Sequence, residues 1–230
     1  MKLSTLINTI ETARKSGLQV AINNLSDGYV DPVYFPVVEN KYGDKFRNFH
    51  TSDLIGVLDQ YVYLPKREDI VFDIGAFLGG YTIPAGKLAK RVYAFEPVYF
   101  EELVSNVKAN DLSNVNSYPF ALGGKEGTQS VSYFREAEAH TYTFDGLLEI
   151  VKELPTFIKC NCEGGEWSLN PENFDTVNTL EIQFHYSKEF PDNPSLLEWI
   201  RDNYLCTEST KNISGVNGIY QVRNIHGVRK

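Results

Sequence analysis

Residues 71–82 place an acid and several glycines at the end of an apolar run. The stretch reads VFDIGAFLGGYT, so that Asp73 is followed by Gly75 and Gly79, and a second acid, Glu96, ends the apolar run RVYAF 23 positions after the first. Glycines let a chain turn tightly and let backbone amides approach a bound molecule, and an acid at the end of the next strand can accept both hydroxyls of a ribose. The alternative is that Asp73 caps a helix and the glycines relieve packing. The order strand, acid, glycine turn, helix, strand and acid favours a site for an adenosine-type ligand.

The residues of the glycine turn narrow the class of ligand. A dinucleotide-binding loop of the form G-x-G-x-x-G needs its second glycine to make room for a pyrophosphate, but Phe77 stands at that position. The lysine and threonine of a phosphate-binding P-loop are missing as well. A loop that begins with an acid suits a ligand without phosphate and with a positively charged amino-acid end. We therefore expect S-adenosylmethionine rather than NAD or ATP.

Polar side chains follow two later apolar runs and could assist a transfer reaction. His185 comes after LEIQF, and Glu163 and Glu166 come after TFIKCNC, while His140 precedes a predicted helix. A sulfonium methyl group is already activated, so a protein mainly has to align an acceptor lone pair behind it, but a hydroxyl acceptor also needs a base. We expect His185 to be that base, with a structural hydrogen-bonding histidine as the alternative. Glu163 is expected to contact the substrate, and Glu166 to begin a helix.

The sequence does not predict a metal site. Asn161, Glu163, Glu166 and His185 carry oxygen and nitrogen ligands, but without the fixed spacing of a known cation site. Cys160 and Cys162 occupy alternating positions, which in a strand point to opposite faces and cannot grip one zinc ion together. Both are expected to be core cysteines.

The elements that must position these residues alternate along the chain from about residue 68. The predicted strands are DIVFDI, RVYAFE, VNSYPFAL, TFIKCNC and TVNTLEIQFHY, with GTQSVSYF as a further exposed strand and CTEST and GIYQVRN as a hairpin. The predicted helices are the segment from the glycine turn to about Lys90, YFEELVSNVKAND, TYTFDGLLEIVKEL and PSLLEWIRDNYL. Strands and helices in alternation are typical of parallel βαβ units with helices on both faces of a sheet.

The first 60 residues do not share this alternation. Residues 3–18 read as a short amphipathic helix, a proline- and aromatic-rich extended segment follows, and HTSDLIGVLDQYVYL predicts another helix. We therefore expect a helical and extended N-terminal cap over residues 1–60, which covers the mouth of the substrate site, and a core over residues 61–230.

Composition limits the partners. The chain has 230 residues with 22 basic and 30 acidic side chains, and its net charge of -8 counts against nucleic acid and anionic membrane surfaces. No run approaches the roughly 18 apolar residues that span a bilayer, and the N-terminus lacks the pattern of a signal peptide. Three cysteines form no even disulfide framework, so a reducing, cytoplasmic location is expected. Sequence predicts no oligomeric state.

Several motifs together resemble the FkbM family of S-adenosylmethionine-dependent methyltransferases. They are VFDIGAFLGGYTIPAGKLAKRVYAFEP, LVSNVKANDLSNVNSYPFALGGKEG, TYTFDGLLE and IKCNCEGGEW, and the resemblance covers roughly residues 45–205. The features that carry it are the acid-x-Gly-Ala opening, AFEP, the pair Asn106 and Asn110, the turn after Ala121, and an E-G-x-E element. The chain departs from the family at Phe77, where asparagine often stands, and at Asn161, where the family has aspartate and asparagine cannot serve as a base.

The resemblance implies a class I methyltransferase fold, with a mostly parallel seven-stranded sheet whose last hairpin strand is antiparallel. It implies that Asp73, Gly75 and Ala76 line the methionine end of the cofactor, that Glu96 binds the ribose, and that residues near Ala121 and Leu122 approach the adenine. Gly79, Pro97 and Asn161 complete the expected cofactor site.

From these observations we expect an S-adenosylmethionine-dependent enzyme that methylates a hydroxyl of a small molecule or sugar, with Glu163 and His185 as its catalytic residues and no metal. The alternatives are an RNA or protein methyltransferase, a cofactor-binding protein that has lost catalysis, and a nicotinamide oxidoreductase. The acidic charge and the absence of an N-P-P-aromatic motif count against RNA.

Overall fold

A computed structural model of the protein describes residues 29–30, 37–50, 60–133, 135–186, 193–215 and 218–230. The helix predicted over residues 3–18 and most of the helix predicted over residues 50–64 lie outside these ranges. The described ends of the second are not α-helical, because His50 belongs to a strand and residues 61–64 are irregular, so that helix was predicted too long. The boundary between cap and core stays a prediction.

The described strands and helices are numbered in chain order. The strands are β1 (Tyr29–Val30), β2 (Val38–Glu39), β3 (Lys45–Phe46), β4 (Phe49–His50), β5 (Ile70–Ile74), β6 (Arg91–Phe95), β7 (Val115–Tyr118), β8 (Phe120–Leu122), β9 (Gly127–Tyr133), β10 (Arg135–Tyr142), β11 (Phe157–Cys160), β12 (Thr179–Tyr186), β13 (Tyr204–Gly215) and β14 (Gly218–Arg229). The α-helices are α1 (Thr82–Leu88), α2 (Phe100–Ala109), α3 (Phe144–Val151) and α4 (Pro194–Asn203).

The main sheet has seven strands among the described residues, in the order β13-β14-β12-β11-β5-β6-β7. From β7 to β12 the neighbours are parallel, whereas β14 is antiparallel to both β12 and β13. This confirms the predicted mostly parallel, Rossmann-like sheet with a terminal hairpin. The chain goes from β5 outward to β7 and then returns to β11 on the other side of β5. Ligands of such sheets bind beyond the carboxyl ends of the strands at this switch point.

Helices cover both faces of the sheet. On one face, Val71 and Phe157 pack against Tyr81 and Ala85 of the α1 region, and Ala94 packs against α2. On the other face, apolar residues of β5, β11 and β12 form the largest core cluster with α3, α4 and Trp167. Alternate residues of a strand point to opposite faces of the sheet. Because helices cover both faces, most residues of these strands are apolar.

The segment 37–50 lies over α1 and α2. Phe46 and Phe49 are buried against Ile83 of α1. The side chain of Asn106 in α2 accepts hydrogen bonds from the backbone amides of Arg47 and Asn48, at 2.7 and 2.9 Å. The described part of the N-terminal region is therefore bound directly to the core.

The structure differs from the predicted elements between β7 and α3. The predicted strand VNSYPFAL is divided, because Pro119 has no N–H to donate, and β8 joins β10 and β9 in a separate three-stranded sheet. β10 was not expected. The helix predicted from Thr141 begins instead at Phe144, where the hydroxyl of Thr143 accepts from the amide of Gly146 at 3.1 Å.

Candidate active site

The glycine turn after β5 brings two loops into close contact. Gly75 and Gly79 have φ values of 74° and 92°, so the tight turn expected from the sequence is present. A Cβ on Gly75 would lie 1.9 Å from the carbonyl oxygen of Asn161 in the loop after β11. The amides of Gly75 and Ala76 donate to the carbonyl of Phe95, at 2.9 and 3.1 Å. The absence of a side chain at Gly75 thus allows the two loops to come close together at the switch point. The amides of Gly75 and Ala76 are already hydrogen-bonded within the protein.

Glu96, at the end of β6, is buried and holds the loops around it. Its Oε2 accepts from the amide of Phe77 at 2.7 Å, and its Oε1 accepts from the amides of Val98 and Tyr99 at 2.7 and 3.0 Å. Burial raises the pKa of Glu96, and the three amides oppose that shift. A carboxylate offers about four acceptor positions, of which three are used here. One acceptor position of Glu96 therefore remains, and its contact with a ribose stays a prediction.

Asp73 forms a buried ion pair that the sequence reading missed. Its Oδ1 lies 2.8 Å from Nζ of Lys159, and its Oδ2 accepts from the hydroxyl of Thr82 at 2.5 Å. Lys159 also donates to the carbonyl of Gly75 at 2.6 Å. Burial alone lowers the pKa of Lys159, but the Asp73 carboxylate outweighs it and raises that pKa. A lysine inside the apolar strand FIKC is itself a sequence signal, because a buried charge needs a partner.

The ion pair belongs to a row of charges that crosses four strands. Strand register places Lys159 of β11 between Asp73 of β5 and Glu181 of β12, and Glu181 faces His226 of β14. All four side chains are buried, and His226 Nδ1 is hydrogen-bonded to Glu181. Lys159 therefore lies between two carboxylates along this row.

Two buried polar atoms, in different elements, lack a hydrogen-bond partner among the described residues. They are Oδ1 of Asn161, in the loop after β11, and Oγ1 of Thr141 in β10. Thr141 pairs with Ala121, and Leu122 follows in β8. Buried polar atoms are seldom left unpaired in native proteins, so these atoms mark positions where a ligand could supply the partner.

Glu163, His185 and Glu166 meet because of strand register. Cys160 pairs with Ile182, so the chain three residues after β11 runs beside the end of β12. His185 Nδ1 lies 2.7 Å from Oε1 of Glu166, and Nε2 lies 3.4 Å from Oε1 of Glu163. Burial lowers the pKa of His185, but the two carboxylates outweigh burial and raise it to about 10. The expected catalytic pair is therefore brought together, with His185 as an imidazolium at neutral pH.

Residues with left-handed backbone flank the switch point on both sides. Phe77 has a φ of 51° and Glu163 a φ of 56°, values that non-glycine residues adopt rarely and that cluster at functional sites. The ring of Phe77 packs edge-on against Tyr99 with centroids 4.8 Å apart. It also contacts the ring of His50 at 6.1 Å.

The remaining candidates are placed as follows. β11 ends at Cys160, so strand alternation does not extend to Cys162, and their sulfurs lie 3.5 Å apart. The expectation that the two cysteines point apart was wrong. Within the described ranges no group of three or more metal-binding side chains is arranged to hold an ion. Pro97 is half-buried beside Glu96, and His140 is exposed on β10 in the three-stranded sheet.

No family model matches the chain, and no curated protein matches its sequence. Solved structures resemble its fold. An rRNA methylase from Streptococcus thermophilus is 13% identical, with 79% of this chain and 96% of that chain covered and a TM-score of 0.48. A precorrin-6y C5,15-methyltransferase from Geobacter metallireducens is 16% identical, with coverage of 72% and 82% and a TM-score of 0.46. M. jannaschii TYW2 in complex with AdoMet is 16% identical, with coverage of 92% and 91% and a TM-score of 0.42.

The strand order, the antiparallel strand β14 and the switch point define a Rossmann-like α/β fold. In the part of the chain that the structure describes, no helix has the length and apolar character needed to cross a bilayer.

Proposed function

We propose that the protein is an S-adenosylmethionine-dependent methyltransferase of class I, similar to the FkbM family, that methylates a hydroxyl group of a small molecule or sugar. The observation that supports this is the arrangement at the switch point between β5 and β11. There the backbone of Gly75 lies against Asn161, and the carboxylate of Glu96 ends the neighbouring strand.

The residues present fit this cofactor. The unpaired, buried Oδ1 of Asn161 suits the ammonium of the methionine end. Glu96 retains one acceptor position for a ribose hydroxyl, as counted above. The hydroxyl of Thr141, buried and unpaired among the described residues, lies beside Ala121 and suits a polar edge of adenine.

When bound, S-adenosylmethionine supplies an electrophilic methyl group, whose bond to sulfur breaks as the acceptor oxygen bonds to the carbon. The protein has to orient the acceptor, exclude water and remove one proton. Glu163 and His185 are the residues proposed to form this reaction site, at the rim formed by the ends of β11 and β12. The side chain of Glu163 is 36% exposed, so an acceptor can reach it.

Calorimetry with S-adenosylhomocysteine and with NAD tests the cofactor assignment. We expect saturable binding of the former and none of the latter. Saturable binding of NAD with no binding of S-adenosylhomocysteine would overturn the proposal in favour of an oxidoreductase.

A screen for transfer of labelled methyl groups tests the acceptor class, with metabolite extracts, RNA and protein as separate arms. We expect labelled small molecules that lose the label when their hydroxyls are blocked. Label found only in RNA or only in protein would contradict the hydroxyl assignment while leaving the methyltransferase intact. Cofactor binding without transfer in any arm would indicate a binding protein without catalysis.

A further inference from the structure

The group formed by Glu163, His185 and Glu166 has one buried end and one exposed end. Glu166 is fully buried, the ring of His185 is 1% exposed, and the side chain of Glu163 is 36% exposed. The three side chains therefore differ in their access to solvent.

Carboxylates flank the ring of His185 on both sides. Each nitrogen of His185 faces a carboxylate oxygen, at 2.7 Å for Nδ1 and 3.4 Å for Nε2. Ionised carboxylates accept hydrogen bonds and do not donate them, so a carboxylate on each side of the ring favours the imidazolium, in which both nitrogens carry protons. An imidazolium has no free lone pair and cannot take a proton from an acceptor. The role of base that the sequence suggested for His185 therefore has to pass to another group.

The buried end is held rigidly. Glu166 accepts from the amides of Gly164 and His185, at 2.9 and 2.6 Å, in addition to the ring. The indole of Trp167 donates to the carbonyl of His185 at 2.6 Å. His185 is thus fixed through its amide, its carbonyl and its ring, and it cannot swing toward a substrate.

We propose that His185 is a cationic positioning residue anchored by Glu166, and that the carboxylate it orients, Glu163, is the catalytic base that receives the proton of the acceptor hydroxyl. This inference rests on the proposed function. The left-handed φ of Glu163, followed by Gly164 with a φ of 112°, bends the loop so that the carboxylate reaches the ring from the surface side. Backbone strain of this kind is tolerated where it places a functional group.

The proton balance is simple. The O–H bond of the acceptor breaks and its proton passes to a carboxylate oxygen of Glu163, which becomes a neutral carboxylic acid, while the cofactor loses its positive charge. His185 keeps its proton throughout. Before the reaction the three side chains carry a net charge of minus one, from two carboxylates and one imidazolium. That charge disfavours anionic groups, so we expect a neutral hydroxyl compound rather than a phosphorylated one as the acceptor.

Nuclear magnetic resonance of the full chain with ¹⁵N-labelled histidine tests the protonation state without cofactor or substrate. At pH 7.5 we expect both ring nitrogens of His185 to be protonated, and Glu163→Gln or Glu166→Gln to move its titration toward lower pH. Glu172→Gln, at an exposed position, is the control and should leave the titration unchanged. A neutral His185 ring at pH 7.5 in the wild-type protein would overturn the proposal. Because Glu163 is partly exposed, Glu163→Gln remains informative even if Glu166→Gln fails to fold.

The pH dependence of turnover tests the assignment of the base. If Glu163 is the base, turnover falls on the alkaline side as His185 loses its proton, and this fall is absent in His185→Gln. A base at His185 predicts the opposite, a rise over the same range.

We expect Glu163→Gln to lower kcat about 100- to 1,000-fold with unchanged affinity for S-adenosylhomocysteine, as for loss of a general base. Full turnover in that variant would exclude Glu163. Failure of the chain to bind S-adenosylhomocysteine would instead remove the proposed function, which the histidine titration does not test.

Discussion

Lys159 and Asp73 depend on each other, because each is buried and each neutralises the other. Lys159→Met keeps an apolar side chain of similar length. Of the partners of Asp73 described above, only the hydroxyl of Thr82 then remains beside the buried carboxylate. Breaking one half of a buried ion pair costs about 3–5 kcal/mol. We expect a loss of that size in the free energy of unfolding, measured by urea denaturation at pH 7.

Arg201→Met is the matched control for this prediction. Arg201 pairs with Glu208 at 2.7 Å, but both side chains are partly exposed, at 41% and 29%. Exposed pairs contribute about 0–1 kcal/mol, so this variant should unfold nearly as the wild type does. Equal losses in the two variants would show that burial of the Asp73–Lys159 pair does not decide its contribution.

Glu96 is predicted to affect both cofactor binding and stability. Glu96→Ala removes one proposed ribose contact, and we expect affinity for S-adenosylhomocysteine to fall by about 1–3 kcal/mol, which calorimetry measures. It also leaves three backbone amides without their carboxylate, so the melting temperature should fall. Glu101→Ala, at an exposed position in the first turn of α2, should change neither. A folded Glu96→Ala protein with wild-type affinity would remove Glu96 from the cofactor site.

The residue types identified the acids at the strand ends, but not the groups that hydrogen-bond to those acids. The spacing of Asp73 and Glu96 placed both at the carboxyl edge of the sheet, as found. That Glu96 is largely satisfied by backbone amides depends on loop conformation, which spacing does not encode. The neighbourhood of Glu163 and His185 depends on the register of β11 with β12, which joins positions far apart in sequence.

At the scale of elements, one buried side chain of α2, Asn106, joins that helix to the N-terminal segment. Asn106 accepts two amides and donates to the carbonyls of Asn48 and Leu78, at 2.5 and 2.8 Å. Asn106→Leu keeps the volume but leaves buried backbone groups unpaired, each costing about 1–3 kcal/mol. We expect residues 45–50 to lose protection in hydrogen exchange and the whole fold to weaken by at least about 3 kcal/mol.

Asn110→Ala provides the comparison on the same helix. Asn110 bonds to both backbone groups of Lys45, but these bonds are exposed and water can replace them. We expect a loss below about 1 kcal/mol, since a solvated partner has little desolvation cost. If the two variants behaved alike, burial would not explain the effect of Asn106.

The sequence predicts buried strands better than exposed ones. β5, β6, β11 and β12 are apolar runs bounded by polar residues, and the sequence located all of them. β10 reads REAEAHTY, which has few β-branched or aromatic residues, and its pairing with β8 and β9 is supplied by tertiary context.

At the scale of the whole molecule, the chain is acidic, yet one buried cation governs part of its response to pH. The pKa of His185 rises from 6.5 to about 10 on folding, so its contribution to stability is complete below about pH 6.5 and is lost as the pH rises through 10. We expect the free energy of unfolding to decline between pH 6.5 and 9.5 in denaturant titrations. His185→Gln should flatten this decline, whereas His140→Gln, at an exposed site, should preserve it. If the free energy of unfolding declined with the same slope in His185→Gln as in the wild type, the decline would be due to other groups.

The position of β14 has a consequence for biosynthesis. Eight residues of β12 pair with β14, and β13 pairs with β14 along its whole length, although β14 is translated after both. Until that strand emerges from the ribosome, the nascent sheet ends at β12 with an unpaired edge that reads TLEIQFHY. Edges of this composition can template aggregation, so the newly made chain is most vulnerable just before β14 inserts. Expression at low temperature or with a co-produced chaperone should therefore raise the soluble yield.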